Sequence, residues 1–345
     1  MFDHFLIFFF ITSFLMIFIA KKFNLLVDFK LEKHKRFSTK SKSYFIGGTL
    51  LLFFFIYYFI FLEKNYLLIS FLISIFTIGL FSDLKILNSV KLRFLLQIFI
   101  SIFFIYHLNL KINFTRLDFF DEILQNYIVI NILFTTFCLL IVINGGNFID
   151  GLNGLILKYN LIIYLILYFS FSSESFILDK QIVSYLIIIL SIILFLNLFG
   201  YLYMGDSGAY LLSLFTGLYL INFSSQNFAL SPYFIILLLW YPCFELLFSM
   251  IRRIRKKLKT YKPDNFHLHQ FIYKLIKKKL SIKNDLLSHL ITSFLINIYN
   301  LIIFIISVQF IYNSGILILI LSINITLYLL IYNYSQKKYK LEFYN

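Results

Sequence analysis

The sequence predicts an all-α fold: a single-domain, polytopic membrane helical bundle of about eleven transmembrane helices. Three observations carry this. The 345 residues are 61% hydrophobic and only 14% charged, with a mean hydropathy of +0.87, more apolar surface than a soluble core of this size can enclose. Apolar runs near the ~20 residues needed to cross a bilayer recur along the whole chain. Backbone in lipid must satisfy its own hydrogen bonds, so each run is expected to be helical.

In order, the expected spans are Phe2–Ala20, Tyr44–Leu62, Tyr66–Leu80, Leu92–Leu108, Tyr127–Ile143, Leu155–Phe171, Ile182–Phe199, Gly208–Asn222, Pro232–Ile251, Leu286–Phe310 and Ile316–Tyr334. The first lacks a basic leader and a small-residue cleavage site, so it reads as a retained span. Tyr66–Leu80 and Gly208–Asn222 are short, and each abuts a polar motif that is expected to dip below the membrane surface. Cys138 and Cys243 fall inside apolar runs and imply no disulfide framework.

The connectors divide by charge. One set carries 27 of the 31 basic residues; the other carries Lys64, Lys111, Arg116 and Lys180 beside six acids. By the positive-inside rule the first set is cytoplasmic, the N-terminus outside and the C-terminus inside. Clustering in connectors also points the +15 net charge at anionic lipid head groups rather than nucleic acid. The cytoplasmic connectors are 21–43, 81–91, 144–154, 200–207 and 252–285, and every unusual polar motif falls in them.

Lys33, His34 and Lys35 in the first connector serve as a lipid-surface anchor or help hold a phosphorylated lipid. In the second, Asp83 stands near Lys85, Lys91 and Arg93. That set is either an exposed ion pair of small worth or a phosphate site in which cations balance charge while the carboxylate handles metal or proton. The third, from Asn144 to Gly154, holds four glycines, three asparagines and Asp150. It reads as a polar turn or as a backbone that approaches a ligand closely. Asp206, in Met204-Gly205-Asp206-Ser207-Gly208, is an N-cap or part of an anion or metal-phosphate pocket. Asp150 and Asp206 with nearby amide oxygens suit Mg²⁺. His267 and His269 lack the further ligands a zinc site needs, so a phosphate or sugar fits them better. Glu245, inside a span, needs a partner such as Arg252 or Arg253. His4, His107 and His289 lie near span ends and read as interfacial.

Together these motifs resemble those of the polyprenyl-phosphate N-acetylhexosamine-1-phosphate transferases, of glycosyltransferase family 4 type. The likeness runs from Lys33-His34 and Gly47-Gly48 to His267-Leu268-His269. Its most specific parts are N-x-x-N-x-x-D-G-L-x-G at Asn144–Gly154 and M-G-D-S-G at Met204–Gly208. P-D-x-x-H-x-H at Pro263–His269 resembles the branch that uses simple UDP-sugars, the UDP-GlcNAc:undecaprenyl-phosphate transferases. Three positions depart from the family pattern: Ser82 and Asn153 stand where acids are usual, and Gln270 where a histidine is usual.

The resemblance implies transfer of a HexNAc-1-phosphate from a UDP-N-acetylhexosamine to polyprenyl (undecaprenyl) phosphate with release of UMP. This is the first membrane step of lipid-linked envelope polysaccharide synthesis. The expected setting is a bacterial inner membrane, with the active site on its cytoplasmic face and no nucleic-acid partner. It further implies Mg²⁺, with Mn²⁺ as an alternative, held by Asp206 and Asn147. Asp83 would orient or deprotonate the lipid phosphate, with Lys85, Lys91 and Arg93 balancing charge. Asp150, as a second catalytic carboxylate, and Asn153 would contact the nucleotide or the metal shell. Asn144 joins the substrate-binding set, and His267, His269 and Arg253 would grip the sugar phosphate. Two rival readings stay open: a catalytically impaired relative acting as a scaffold, motivated by Ser82 and Asn153, and a lipid or solute transporter. Monomer and homodimer are equally compatible with the sequence.

Overall fold

The computed structural model describes residues 2–29, 42–171, 180–259, 265–282 and 284–343. Helices dominate: α1 Phe2–Phe23, α2 Gly47–Tyr57 with a π-helical turn at Tyr58–Leu62, α3 Tyr66–Asp83, α4 Val90–His107, α5 Asp118–Asn126, α6 Ile128–Ile149 and α7 Leu155–Ser170. They continue with α8 Lys180–Leu198, α9 Gly205–Gln226, α10 Pro232–Arg255, α11 Leu268–Lys279, α12 Asp285–Gln309 and α13 Ser314–Phe343. A helix stands at each of the eleven expected spans. Eight of them (α1, α3, α4, α6, α8, α10, α12, α13) are long and apolar enough to cross a membrane, and the chain is a multi-pass membrane protein. The stretch Gly47–Leu62 and α7 are apolar but shorter. Beyond the expected helices come two short amphipathic ones, α5 and α11, and a pair of three-residue antiparallel strands, β1 Val27–Phe29 and β2 Lys42–Tyr44. Lys33, His34, Lys35, Pro263 and Asp264 lie outside the described residues.

Local chemistry sets several helix ends. Asn65 Oδ1 accepts the Leu68 N–H at 3.1 Å to start α3, and Ser89 Oγ accepts the Leu92 N–H at 3.3 Å to start α4. Pro232 occupies the first turn of α10, where its missing N–H costs nothing. Pro242, inside α10, cannot donate to the Leu238 carbonyl four residues back. The Tyr159 hydroxyl of α7 donates to that carbonyl instead, at 2.9 Å.

The bundle carries apolar side chains on both its outer and inner surfaces. On α1, Phe8, Ile11, Leu15 and Phe18 are exposed while Phe5, Phe9 and Ile17 are buried, so hydrophobicity alone cannot tell lipid from core. Polar side chains that bond from helix to helix mark the inside. Tyr164 and Thr216 share a hydrogen bond at 2.7 Å, Thr216 donates to Asn160 at 2.7 Å, and Trp240 donates to Asn300 at 2.9 Å, all buried. Such bonds tie α7 to α9 and α10 to α12 in surroundings where water offers no alternative.

At the centre stands α9, almost wholly enclosed and packed on α2, α3 and α6. Small residues permit the approach. A Cβ on Gly48 of α2 would lie 2.5 Å from the Gly208 nitrogen, and one on Gly79 of α3 would overlap the Ser207 Cα. Likewise a Cβ on Gly145 of α6 would lie 2.6 Å from the Pro242 carbonyl oxygen of α10. These contacts bring the start of α2 and the end of α3 to the start of α9, and seat the end of α6 against the middle of α10.

Candidate active site

The third connector departs from its sequence reading. Asn144, Gly145, Gly146 and Asn147 are helical, because α6 runs on to Ile149, and only residues 150–154 form a turn. Tertiary contacts offset the poor helix propensity of this stretch. Asn144 Nδ2 donates to the Leu140 carbonyl and to Gln97 Oε1 of α4, both at 2.9 Å, and Gly145 admits α10. The helical spacing then puts Asn144, Asn147 and Asp150 on one face, three residues apart.

Asp83 closes α3 and caps α9. Its Oδ1 accepts the Asp206 N–H at 2.8 Å, and its Oδ2 accepts the Ser207 N–H at 3.0 Å and the Ser207 hydroxyl at 2.7 Å. An anion here meets the unpaired amides and positive dipole of a helix start. Gly205 is required twice over: its φ is +69°, and a Cβ would lie 2.7 Å from Asp83 Oδ2.

With the cap supplied by Asp83, the Asp206 side chain is left for other partners. Arg93 of α4 pairs with it at 2.6 Å, and the Ser82 hydroxyl donates to the same oxygen at 2.5 Å. Arg93 also bonds Ser82. The neutral residue at position 82 is therefore a donor to Asp206, where a second acid would repel it.

Asp150 stands at the end of α6, and no hydrogen bond reaches its carboxylate among the described residues. Its acidity is pushed well above the ordinary carboxylate range by burial, then by the charges of Asp206 and Asp83. The three acids thus surround one region. Asn147 donates to the Tyr210 hydroxyl at 3.5 Å, and Tyr210 lies one turn beyond Asp206 with Gln97 beside it.

A second group adjoins the first through residues 148–151. The Arg253 guanidinium lies 5.5 Å from the centre of the Phe148 ring, and Phe148 meets His267 edge-on at 5.2 Å. His267 stacks on His269 at 5.5 Å. Gly151 covers His269, so that a Cβ there would lie 3.0 Å from Nε2. His269 is fully buried, neither ring nitrogen has a hydrogen-bond partner among the described residues, and burial pushes the imidazole down to about 3. Gln270 accepts the His267 N–H at 3.3 Å, pinning the start of α11.

Three predicted residues stand apart. Lys85 and Lys91 are exposed on the α3–α4 connector and at the start of α4. Asn153 is buried, its amide donating to the Asn197 carbonyl at 3.2 Å and its N–H to His289 Nδ1 at 3.3 Å. His289 is accordingly buried and not interfacial. Glu245 does not pair with Arg252 or Arg253 as expected. Its partners are His267 Nδ1 at 2.9 Å and the Tyr328 hydroxyl at 2.7 Å, because α11 and α13 close over that face of α10. Arg252 instead bonds the Phe266 carbonyl and the Tyr332 hydroxyl.

Gln97, Tyr210, Phe148 and Tyr328 escaped the sequence reading. Gln97 was findable, being a lone amide in an apolar span one turn from Arg93. Tyr328 is one of 25 tyrosines and carries no local signal.

The residues present suit a divalent ion of one kind. Among the described residues, no three His, Cys, Asp or Glu side chains gather closely enough to enclose a metal. Mg²⁺ commonly rests on one or two carboxylates and takes its remaining ligands from water and substrate phosphate. Asp206 and the unpartnered, mutually repelled Asp150 meet that requirement, with Asn147 one turn from Asp150.

These features define a class: a multi-pass helical membrane protein whose polar centre is built from the ends of α3 and α6 and the start of α9. Residues 65–224 match the model of the family described as Glycosyl transferase family 4. The matched segment contains Asp83, Arg93, Asn144, Asn147, Asp150, Asn153 and Asp206; Arg253, His267 and His269 lie beyond it. No curated protein matches the chain.

Proposed function

We propose that the chain as a whole is a member of that family and moves a HexNAc-1-phosphate from a UDP-N-acetylhexosamine to polyprenyl phosphate, releasing UMP. The single observation that carries the reading is that Asp83, Asp150 and Asp206, from three distant parts of the chain, lie close enough to repel one another, with Arg93 paired to Asp206. A solvated turn or an isolated helix cap has no use for three mutually repelling acids. Phosphoryl transfer needs positioning and charge neutralisation more than covalent chemistry, and an acidic centre beside Arg93 suits a metal-bound diphosphate.

On this reading Asp206, with Asn147 and Asp150, would hold Mg²⁺ or Mn²⁺ together with the donor diphosphate. The metal, when bound, would neutralise charge as the sugar-side phosphorus is attacked. Asp83 would orient or deprotonate the lipid phosphate. Arg253 and His267 would contact the sugar phosphate, and His269, buried with two nitrogens that have no hydrogen-bond partner among the described residues, would reach it when the Gly151 turn shifts. The site would face the cytoplasm of a bacterial inner membrane, the side assigned by the 27-to-4 charge division.

Membranes containing the protein, given radiolabelled UDP-GlcNAc, polyprenyl phosphate and Mg²⁺, should form lipid-linked sugar and UMP. Asp206→Asn should abolish both. Turnover that stays dependent on Mg²⁺ in that variant would remove the metal role of Asp206. Absence of lipid-linked product from the wild type with any of a panel of UDP-HexNAc donors would overturn the reading in favour of a scaffold or a transporter.

A further inference from the structure

Glu245 is completely buried in the middle of α10, a helix apolar enough to cross a membrane. An ionisable group at such a depth is costly and is retained where it has a task. Both carboxylate oxygens are committed. Oε1 lies 2.9 Å from His267 Nδ1 and Oε2 accepts from the Tyr328 hydroxyl at 2.7 Å. The three residues come from α10, from the start of α11 and from α13, all outside the segment that matches the family model. His267 is buried as well, with the Ser249 hydroxyl 3.3 Å from the same Nδ1.

A carboxylate bonded to one nitrogen of an imidazole decides which nitrogen carries the proton and how the ring is turned. Here the Glu245 carboxylate can only accept, so His267 Nδ1 must donate. The lone pair, or the second proton of a cationic ring, is then left at Nε2. Tyr328 keeps the carboxylate from rotating, and the His269 and Phe148 rings fix the plane of the imidazole. We propose that Glu245, braced by Tyr328, is a positioning residue that holds His267 in its Nδ1-protonated form so that Nε2 serves the sugar phosphate. This rests on the transferase reading above. A mere tie between α10 and α11 would leave the tautomer of His267 without consequence.

The test has two arms. In the first, product formation is measured for the wild type, Glu245→Gln, Tyr328→Phe, His267→Gln and the Glu245→Gln/His267→Gln double variant. Glu245→Gln should lower kcat by about 10- to 100-fold, in line with removal of a partner that orients a histidine elsewhere, while the donor KM stays within about twofold. Tyr328→Phe should give a smaller loss of the same kind and stands in should Glu245→Gln fail to fold. The double variant should be no slower than His267→Gln. Losses that multiply in the double variant, or a wild-type kcat in Glu245→Gln and Tyr328→Phe, would overturn the inference.

In the second arm, nitrogen-15 NMR of histidine-labelled protein follows the His267 ring, assigned with His267→Gln. Its signals should be those of an Nδ1-protonated imidazole in the wild type and should shift toward the other tautomer in Glu245→Gln or Tyr328→Phe. Unchanged spectra in both variants would overturn the inference. If the wild type forms no lipid-linked product, the transferase reading falls and this second arm alone decides whether Glu245 sets the state of His267.

Discussion

Among the cations near the acidic centre, Arg93 touches a carboxylate and Lys85 and Lys91 lie on the exposed connector. The difference follows from reach: Arg93 is far enough into α4 to face inward, one turn before buried Gln97. Removing its charge leaves Asp206, beside two further acids, without its cationic partner, whereas a lysine in water is already screened. Arg93→Gln should therefore cut product formation by tenfold or more, and Lys91→Gln by no more than about twofold, measured in the same membranes. His269 gives a second prediction, on stability. Burial, opposed by Glu245 and reinforced by His267 and His289, lowers its folded-state value to about 3, against about 6.5 for a free imidazole. Between those values the unfolded chain binds the extra proton, so stability falls as pH drops through that window. By pH 5 this amounts to about 2 kcal/mol. The Tm of detergent-solubilised wild type should fall more steeply between pH 7 and pH 5 than that of His269→Gln; equal slopes would show that His269 titrates normally. At this scale the sequence named the acids, Arg93 and the histidine pair, because charges and imidazoles are conspicuous in so apolar a chain. It misassigned the partner of Glu245 and passed over Tyr328, since neither can be placed without knowing which faces of α10, α11 and α13 meet.

The helices themselves were legible because apolar runs of spanning length follow from solvation of the backbone, a local requirement. Their ends were not. Asn144–Asn147 has the composition of a turn, yet it is helical because Gln97 and the α10 backbone supply partners that composition does not reveal. The contact of α3 with α9 belongs to this scale too. A side chain at Gly79 would occupy the space of the Ser207 backbone and move Asp83 off the α9 amides. Gly79→Ala should lower the Tm by an amount matching about 1–3 kcal/mol of overpacking and depress activity further than the stability loss explains. Phe81→Leu, at an exposed position two residues on, serves as the control and should do neither. An unaffected Gly79→Ala would mean that α3 and α9 are free to separate.

For the molecule as a whole, the proposed orientation rests on where the basic residues lie. The expected arrangement places Lys64 and Lys91, at opposite ends of the α3 region, on opposite sides of the membrane. In a background where Cys138 and Cys243 are replaced by alanine, Lys91→Cys should react with an impermeant thiol reagent only from the cytoplasmic side. Lys64→Cys should react only from the other, and labelling of both from one side would reverse or break the topology. By itself, the sequence determined that this is a helical membrane protein, roughly where its helices lie, and which polar residues are too expensive in lipid to be incidental. Those properties depend on each segment's own exchange with water or hydrocarbon. Only the tertiary structure decided that Asp83 caps α9, that Ser82 and Arg93 share Asp206, that Asn153 turns toward Asn197, and that Glu245 meets His267. Each of those pairings depends on how far a helix is rotated and how closely its neighbour can approach, and both are set by small residues and side-chain packing distant in the chain.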